Sequence, residues 1–313
     1  MTDCPHCTDE RAAGAAFCES CGRPLATGAP LDVGTDCGAC GSAGSVATDG
    51  YCDNCGMLAG RPRDHAEADA GPVAAAVTDR GVRHRRNEDA MWLAVRGTEV
   101  DVVVCDGVSS SADPEVASGT AAEAAGKALA LETGVAAAVR AAAEAVAALA
   151  GTGDPRRAAS NPACTIVAAR VREGEIEYGW VGDSRAYWVP IGAERAEQLT
   201  EDDSWATHVI AMGADPQAAW NNPQAHAITA WLGADFGVVE PRTGTLRPEA
   251  PGVLVLCSDG LWNYYTEPAA FAEVVLASVR ENADLVSAAR ALVALAVEAG
   301  GADNITVALI PIV

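Results

Sequence analysis

Two short apolar runs in this chain each end in a carboxylate followed by glycine. They are Val102-Val103-Val104-Cys105-Asp106-Gly107 and, far downstream, Val253-Leu254-Val255-Leu256-Cys257-Ser258-Asp259-Gly260. Such runs read as buried strands, and the glycine lets the backbone turn where a side chain would obstruct it. A carboxylate at the mouth of a buried strand is costly unless something positive meets it, and a divalent cation is the usual answer. Two strands delivering Asp-Gly to one place would make a pocket of hard oxygen ligands. More acidic groups stand at similar junctions: Asn87-Glu88-Asp89, Gly182-Asp183-Ser184-Arg185 and Asp303-Asn304. The bland reading of each is a cap, turn or salt bridge. For Asp183 it has real weight, because Asp-Ser is good turn chemistry.

A second chemistry is written in sulfur. Eight of the eleven cysteines precede residue 56, as Cys4-Pro-His-Cys7, Cys18-Glu-Ser-Cys21, Cys37-Gly-Ala-Cys40 and Cys52-Asp-Asn-Cys55. Two thiolates three positions apart on a tight turn grip one tetrahedral zinc, and a second such knuckle completes the set of four. Glycines after Cys21, Cys40 and Cys55 suit turns that aim backbone amides at sulfur. The segment is too short and too poor in apolar residues to fold on burial alone, so zinc would be its core. Disulfides are the alternative for a secreted chain, and iron–sulfur ligation is another. The repeat resembles a double zinc ribbon. That resemblance puts Cys4, Cys7, Cys18 and Cys21 on one structural zinc and Cys37, Cys40, Cys52 and Cys55 on the other. Interleaved pairing across the repeat stays open. With four protein ligands on each metal, the ribbon would brace or recruit rather than catalyse.

The elements that must position these groups follow from the pattern. Residues 1–56 form the ribbon and residues 57–72, without periodicity, read as a linker. Residues 73–313 form a second domain. Within it, strands are expected over residues 73–78, 90–95, 100–105, 164–171, 175–181, 186–189, 246–256 and 304–310. Two alanine-rich helices, broken at Thr133-Gly134, are expected between residues 114 and 150, and further helices over 268–279 and 283–299. Residues 199–233 read as an irregular helical insertion. Strands grouped together with long helices in pairs point to an α+β fold in layers.

The chain has 313 residues, half of them apolar, enough for a large core. No stretch approaches a clean apolar 18-mer, so no membrane span is expected. The first residues carry no basic-then-apolar leader, and a cytoplasmic location is the resulting expectation. A formal net charge of −22 disfavours nucleic acid and anionic membranes as partners. Residues 1–60 hold few arginines and no lysine, so nucleic-acid binding by the ribbon is not expected.

In order and spacing, the Asn87-Glu88-Asp89, Asp106-Gly107, Gly182-Asp183-Ser184-Arg185, Ser258-Asp259-Gly260 and Asp303-Asn304 motifs resemble the metal-dependent protein phosphatases of the PP2C type. The resemblance covers essentially the whole second domain. It implies an α-β-β-α sandwich of two antiparallel sheets flanked by helices, with two Mn²⁺ or Mg²⁺ ions at one edge. Asp106 would bridge both ions, and the Gly107 carbonyl would bind one. Asp259 and Asp303 would hold the first ion; Glu88 would contact the second, with Asp89 acting through water. Asp183 matches a third, weaker metal position. The implied activity is hydrolysis of phosphoserine and phosphothreonine in proteins, opposite Ser/Thr kinases in a bacterial setting.

The chain departs from the family in three places. Many relatives continue the first Asp-Gly with Met-Gly-Gly-His, whereas this chain has Val108-Ser109-Ser110-Ser111. Where relatives often place a phosphate-gripping arginine stands His84, flanked by Arg83 and Arg85; an arginine neighbour could take that role, or His84 could donate a proton to the leaving group. The insertion after Leu199-Thr200 resembles the family's flap, yet Asn222-Pro-Gln-Ala-His226 lacks its usual basic residues. These departures motivate a rival: a weak or inert module that keeps the fold and binds through its zinc ribbon.

Overall fold

The computed structural model describes residues 36–37, 42–47, 51–56, 61–192 and 194–313, and the chain divides into two compact units, Met1–Arg63 and Asp64–Val313. In the second unit the strands β1 (His65–Asp69), β2 (Ala75–Asp79), β3 (Ala90–Arg96) and β4 (Glu99–Cys105) come first. Helices α1 (Pro114–Ala130) and α2 (Val135–Ala148) follow, then a short α3 (Pro155–Ala159). Next come β5 (Ala163–Cys164), β6 (Ile166–Arg172), β7 (Glu175–Val181), β8 (Arg185–Pro190) and β9 (Glu197–Gln198). The insertion carries α4 (Trp205–Ala211) and α5 (Pro216–Trp220), and β10 (Leu232–Gly233) closes it. Strands β11 (Arg242–Leu246) and β12 (Gly252–Cys257), the one-turn α6 (Asp259–Trp262), the long α7 (Pro268–Glu281) and α8 (Leu285–Glu298), and β13 (Ile305–Ile312) complete the unit.

One large sheet has the order β1-β2-β13-β12-β8-β9 and the second β11-β7-β6-β4-β3, β5 and β10 form a small pair, and every pairing is antiparallel. The carboxylate-tipped ends of these strands, residues 102–105 of β4 and 252–257 of β12, are apolar because both of their faces are covered. Side chains alternate across a strand with period two. On β4, Val102 and Val104 face the layer between the sheets, while Val103 and Cys105 face the helix side with Ala117, Ala121, Ala125 and Val139. On β12, Leu254 and Leu256 meet Val102 and Val104 between the sheets, while Val253, Val255 and Cys257 pack with Phe271, Val275, Ala289 and Leu292 from the other helix pair. Small residues let α1 approach closely: a Cβ on Gly126 would fall 2.3 Å from the Trp92 ring. The fold is therefore a sandwich of two antiparallel sheets flanked by helices, as the resemblance implied.

Three local expectations need correction. The linker reading of residues 57–72 fails over His65–Asp69, which is an edge strand registered on β2. Its alternation of exposed and half-buried residues is too polar and too short to signal a strand without its partner. The single run expected over 164–171 is two strands, because Thr165 turns away from the ladder and its amide donates to the Asp106 carbonyl at 2.8 Å. The run expected over 246–256 is likewise split by a loop between Leu246 and Gly252, so that β11 and β12 lie in different sheets.

Candidate active site

Antiparallel pairing brings strand beginnings and strand ends to the same rim. Ala90 pairs with Cys105, Cys257 pairs with both Arg185 and Val307, and Asp79 pairs with Ile305. Glu88 and Asp89 therefore enter β3 at the rim where Asp106 leaves β4, Asp183 precedes β8 and Asp259 follows β12. Asp303 leads into β13 there as well. Both sheets contribute, and the sequence-distant carboxylates converge.

Their electrostatics record the convergence. The Asp106 carboxyl is pushed well above the usual carboxylate range, by burial first and then by the charges of Asp89, Asp259, Asp183 and Asp303. Burial raises Asp183 in the same way, with Asp259 and Asp202 adding to it. Asp259 is pushed up to about 6 by burial and by Asp303, against opposing hydrogen bonds to Asp106, Asn263 and the Gly260 amide. Asp89 rises to about 7 through burial, although Thr306 Oγ1 and Ser258 Oγ both donate to its Oδ2 at 2.7 Å. Glu88 is raised by burial and held by a hydrogen bond from Ser109 Oγ.

So many crowded carboxylates are the arrangement a multivalent cation relieves. Asp259 Oδ1 is buried without a hydrogen-bond partner among the described residues, an orphaned acceptor of the kind a cation satisfies. Among those residues, the only three metal-ligating groups bringing one atom each within 4.8 Å of one another are cysteines, so the carboxylates do not close on a single point. The donor set is hard oxygen throughout and fits Mn²⁺ or Mg²⁺.

The backbone at this rim is tightly determined. A Cβ on Gly260 would lie 1.9 Å from the Asn304 carbonyl oxygen, and one on Gly107 would lie 2.7 Å from the carbonyls of Glu88 and Pro114. Asn304 accepts from the Glu88 amide at 2.7 Å and donates to the carbonyls of Arg80 at 2.8 Å and Arg86 at 2.9 Å, locking the charged loop to the start of β13. On that loop His84 Nε2 lies 3.3 Å from Asp303 Oδ1. Arg83 and Arg85 are exposed on either side of it. His84 is thus placed against a carboxylate of the cluster.

The sequence reading missed the supports. Arg185 forms a buried two-pronged pair with Asp202, at 2.8 and 2.6 Å, and its guanidinium lies 3.4 Å from the centroid of the Trp262 ring. Trp262 Nε1 donates to the Asp183 carbonyl at 3.0 Å. Ser258 was visible in its motif, but Thr306, Asp202 and Trp262 carry no local signal of their own.

The first unit shows part of a metal site by itself. Cys37, Cys52 and Cys55 bring their sulfurs within 4.8 Å of one another, with Cys37 and Cys55 3.8 Å apart. Tetrahedral zinc with Zn–S bonds of about 2.3 Å separates its sulfurs by about that distance. The Asn54 amide points at Cys52 Sγ from 3.4 Å and Ser45 Oγ lies 3.2 Å away; the hydroxyl is the leading influence lowering the Cys52 thiol pKa. Cys4, Cys7, Cys18, Cys21 and Cys40 lie outside the described residues.

Comparisons with known proteins agree with this fold. The family model for protein phosphatase 2C matches residues 80–295, and the chain belongs to that family. The double zinc ribbon model matches residues 4–56. "Protein phosphatase PhpP" of Streptococcus pneumoniae is 33% identical over 150 residues, covering 47% of this chain and 56% of the relative. The chain thus spans about half the length of the curated relatives it matches. The crystal structure of the serine/threonine phosphatase Stp1 from Staphylococcus aureus superposes with a TM-score of 0.66 at 26% identity, covering 81% of this chain and 99% of that one. A catalytic domain of the phosphatase PstP in complex with two manganese ions superposes at 0.60 with 25% identity, covering 78% and 99%.

Proposed function

We propose that the chain is a metal-dependent protein phosphatase that hydrolyses phosphoserine and phosphothreonine. The observation that carries this is the meeting of Asp106, Asp259 and Asp303, from three strand ends in sequence-distant parts of the chain, beside Glu88, Asp89 and Asp183. Two Mn²⁺ or Mg²⁺ ions held there would supply an acidified water for in-line attack on phosphorus and would neutralise the phosphoryl oxygens. Asp106 would help hold both ions and the Gly107 carbonyl one of them; Asp259 and Asp303 would hold the first and Glu88 the second, with Asp89 acting through water. Asp183 would serve a third, weaker position.

The remaining roles belong to the chain's own groups. Ser109 orients Glu88 through its hydroxyl. Ser258 and Thr306 hold Asp89 through hydrogen bonds that favour its ionised form and partly offset its burial. His84, beside Asp303, is placed to bind a phosphoryl oxygen or to pass a proton to the leaving alkoxide. Arg83 and Arg85 supply positive charge at the same mouth. The ribbon would hold two structural zinc ions and recruit a protein partner, leaving phosphorylated proteins and the kinases that make them as the implied counterparts.

The test is turnover of a phosphothreonine peptide by the full chain with Mn²⁺. The wild type should hydrolyse it, and Asp106→Ala should lose at least about a thousandfold in kcat/KM. Equal blanks from both proteins would support the inert binding module instead.

A further inference from the structure

Beside the carboxylate rim lies a recess of about 380 Å³. One wall is the loop that departs from the family pattern: Val108, Ser110 and Ser111. The opposite wall is the closing end of the insertion and the turn after β10, with Ile228, Trp231 and Asp235. The loop is stitched to the first residue of β5, since the Val108 amide donates to the Ala163 carbonyl at 2.9 Å and the Ala163 amide donates to Ser111 Oγ at 3.2 Å. The recess therefore begins one residue from Gly107. A polypeptide presenting its phosphoryl group at Asp106 would therefore have this recess within reach of its flanking side chains.

Its chemistry favours one sign of charge. Among the described residues, no lysine, arginine or histidine lines it, and Asp235 is its only ionisable side chain. Trp231 Nε1 donates to Asp235 Oδ1 at 3.1 Å, which fixes the carboxylate beside the indole and leaves Oδ2 for a second partner. Gly233 makes this fit possible, because a Cβ there would lie 2.9 Å from Asp235 Oδ1 and 3.0 Å from the Trp231 ring. The nearby Arg156 and Arg157 are engaged by Asp113 and Asp154 and lie outside the lining. An aromatic face with an adjacent carboxylate is a receptor for a cation, and serine hydroxyls on the facing wall add acceptors for a guanidinium's remaining protons.

We propose that this recess is a specificity subsite that takes an arginine or lysine side chain flanking the phosphorylated residue of the substrate. The inference rests on the phosphatase reading above and names its substrate class: phosphopeptides with a basic neighbour. The insertion, poor in basic residues, would select substrates through their cations rather than gather phosphate through its own.

The test compares phosphothreonine peptides that carry arginine or alanine at each position flanking the phosphothreonine, with Mn²⁺ and the full chain. At one flanking position the wild type should favour arginine by about three- to tenfold in kcat/KM, chiefly through KM. Asp235→Asn should bring that ratio close to one, and Asp235→Glu should restore part of it. Asp235 is exposed, so neither change threatens the fold. Two outcomes overturn the subsite while leaving the phosphatase reading intact: equal turnover of all peptides by the wild type, or an arginine preference that survives Asp235→Asn. A wild type inert on every peptide and on a small aryl phosphate overturns the parent reading and the subsite together.

Discussion

At the scale of single residues, the site depends as much on missing side chains as on charged ones. Gly260 sits where the first turn of α6 presses on the start of β13, and any Cβ would overlap the Asn304 carbonyl. Gly260→Ala should cost at least about 3 kcal/mol, since the obstructing atom is backbone and cannot swing aside. Urea unfolding monitored by tryptophan fluorescence would show a midpoint shifted far down; a shift within experimental scatter would contradict this close approach. The Asp-Gly pairs were legible because a carboxylate after an apolar run is conspicuous. The partners of those carboxylates were not. Thr306 reaches Asp89 across 217 positions of sequence, and nothing near either residue announces the other.

At the scale of elements, the rim is held by pairs that tie one segment to another. Arg185, at the start of β8, and Asp202, at the root of the insertion, are 7% and 5% exposed. Removing one partner strands a buried charge, so Asp202→Ala should lower stability by about 3–5 kcal/mol, measured by the same unfolding assay. The edge strand β1 is fastened differently. Glu67 accepts two hydrogen bonds from Arg290 of α8, at 2.6 and 2.5 Å, and a third from His65, and these hold its carboxyl down at about 2. A depressed carboxylate pKa adds stability above its unfolded value of 4.5, and the gain fades as pH falls from there toward about 2. The pair is partly exposed, so Glu67→Gln should cost less than about 1 kcal/mol at neutral pH. The gap between the two proteins' urea midpoints should narrow between pH 7 and about pH 3; a constant gap would mean that Glu67 acts by packing alone. The long helices and the apolar strands were readable from alanine content and continuous burial. The edge strand was not, because a short polar strand is specified by the neighbour it pairs with rather than by its own residues.

At the scale of the whole molecule, the two units carry different metal chemistries: thiolate donors in one, oxygen donors in the other. Substituting Cys52 and Cys55 with serine in the full chain should release one zinc per chain by total-metal analysis while Mn²⁺-dependent turnover of a small phosphoester persists. Loss of that turnover along with the zinc would show that the ribbon supports catalysis directly. Among the described residues no helix is long and apolar enough to cross a membrane. The sequence by itself determined which residue types could bind metal, and it determined that two of the strands would be covered on both faces. Those properties are local, set by side-chain chemistry and by the period of the chain. Only the tertiary structure decided that six acidic groups share one rim and that Trp231 and Asp235 face a serine-bearing loop across a recess. Those arrangements depend on strand order and on which backbones can approach without a Cβ between them, and contacts between residues a hundred or more positions apart leave no periodic trace in the chain.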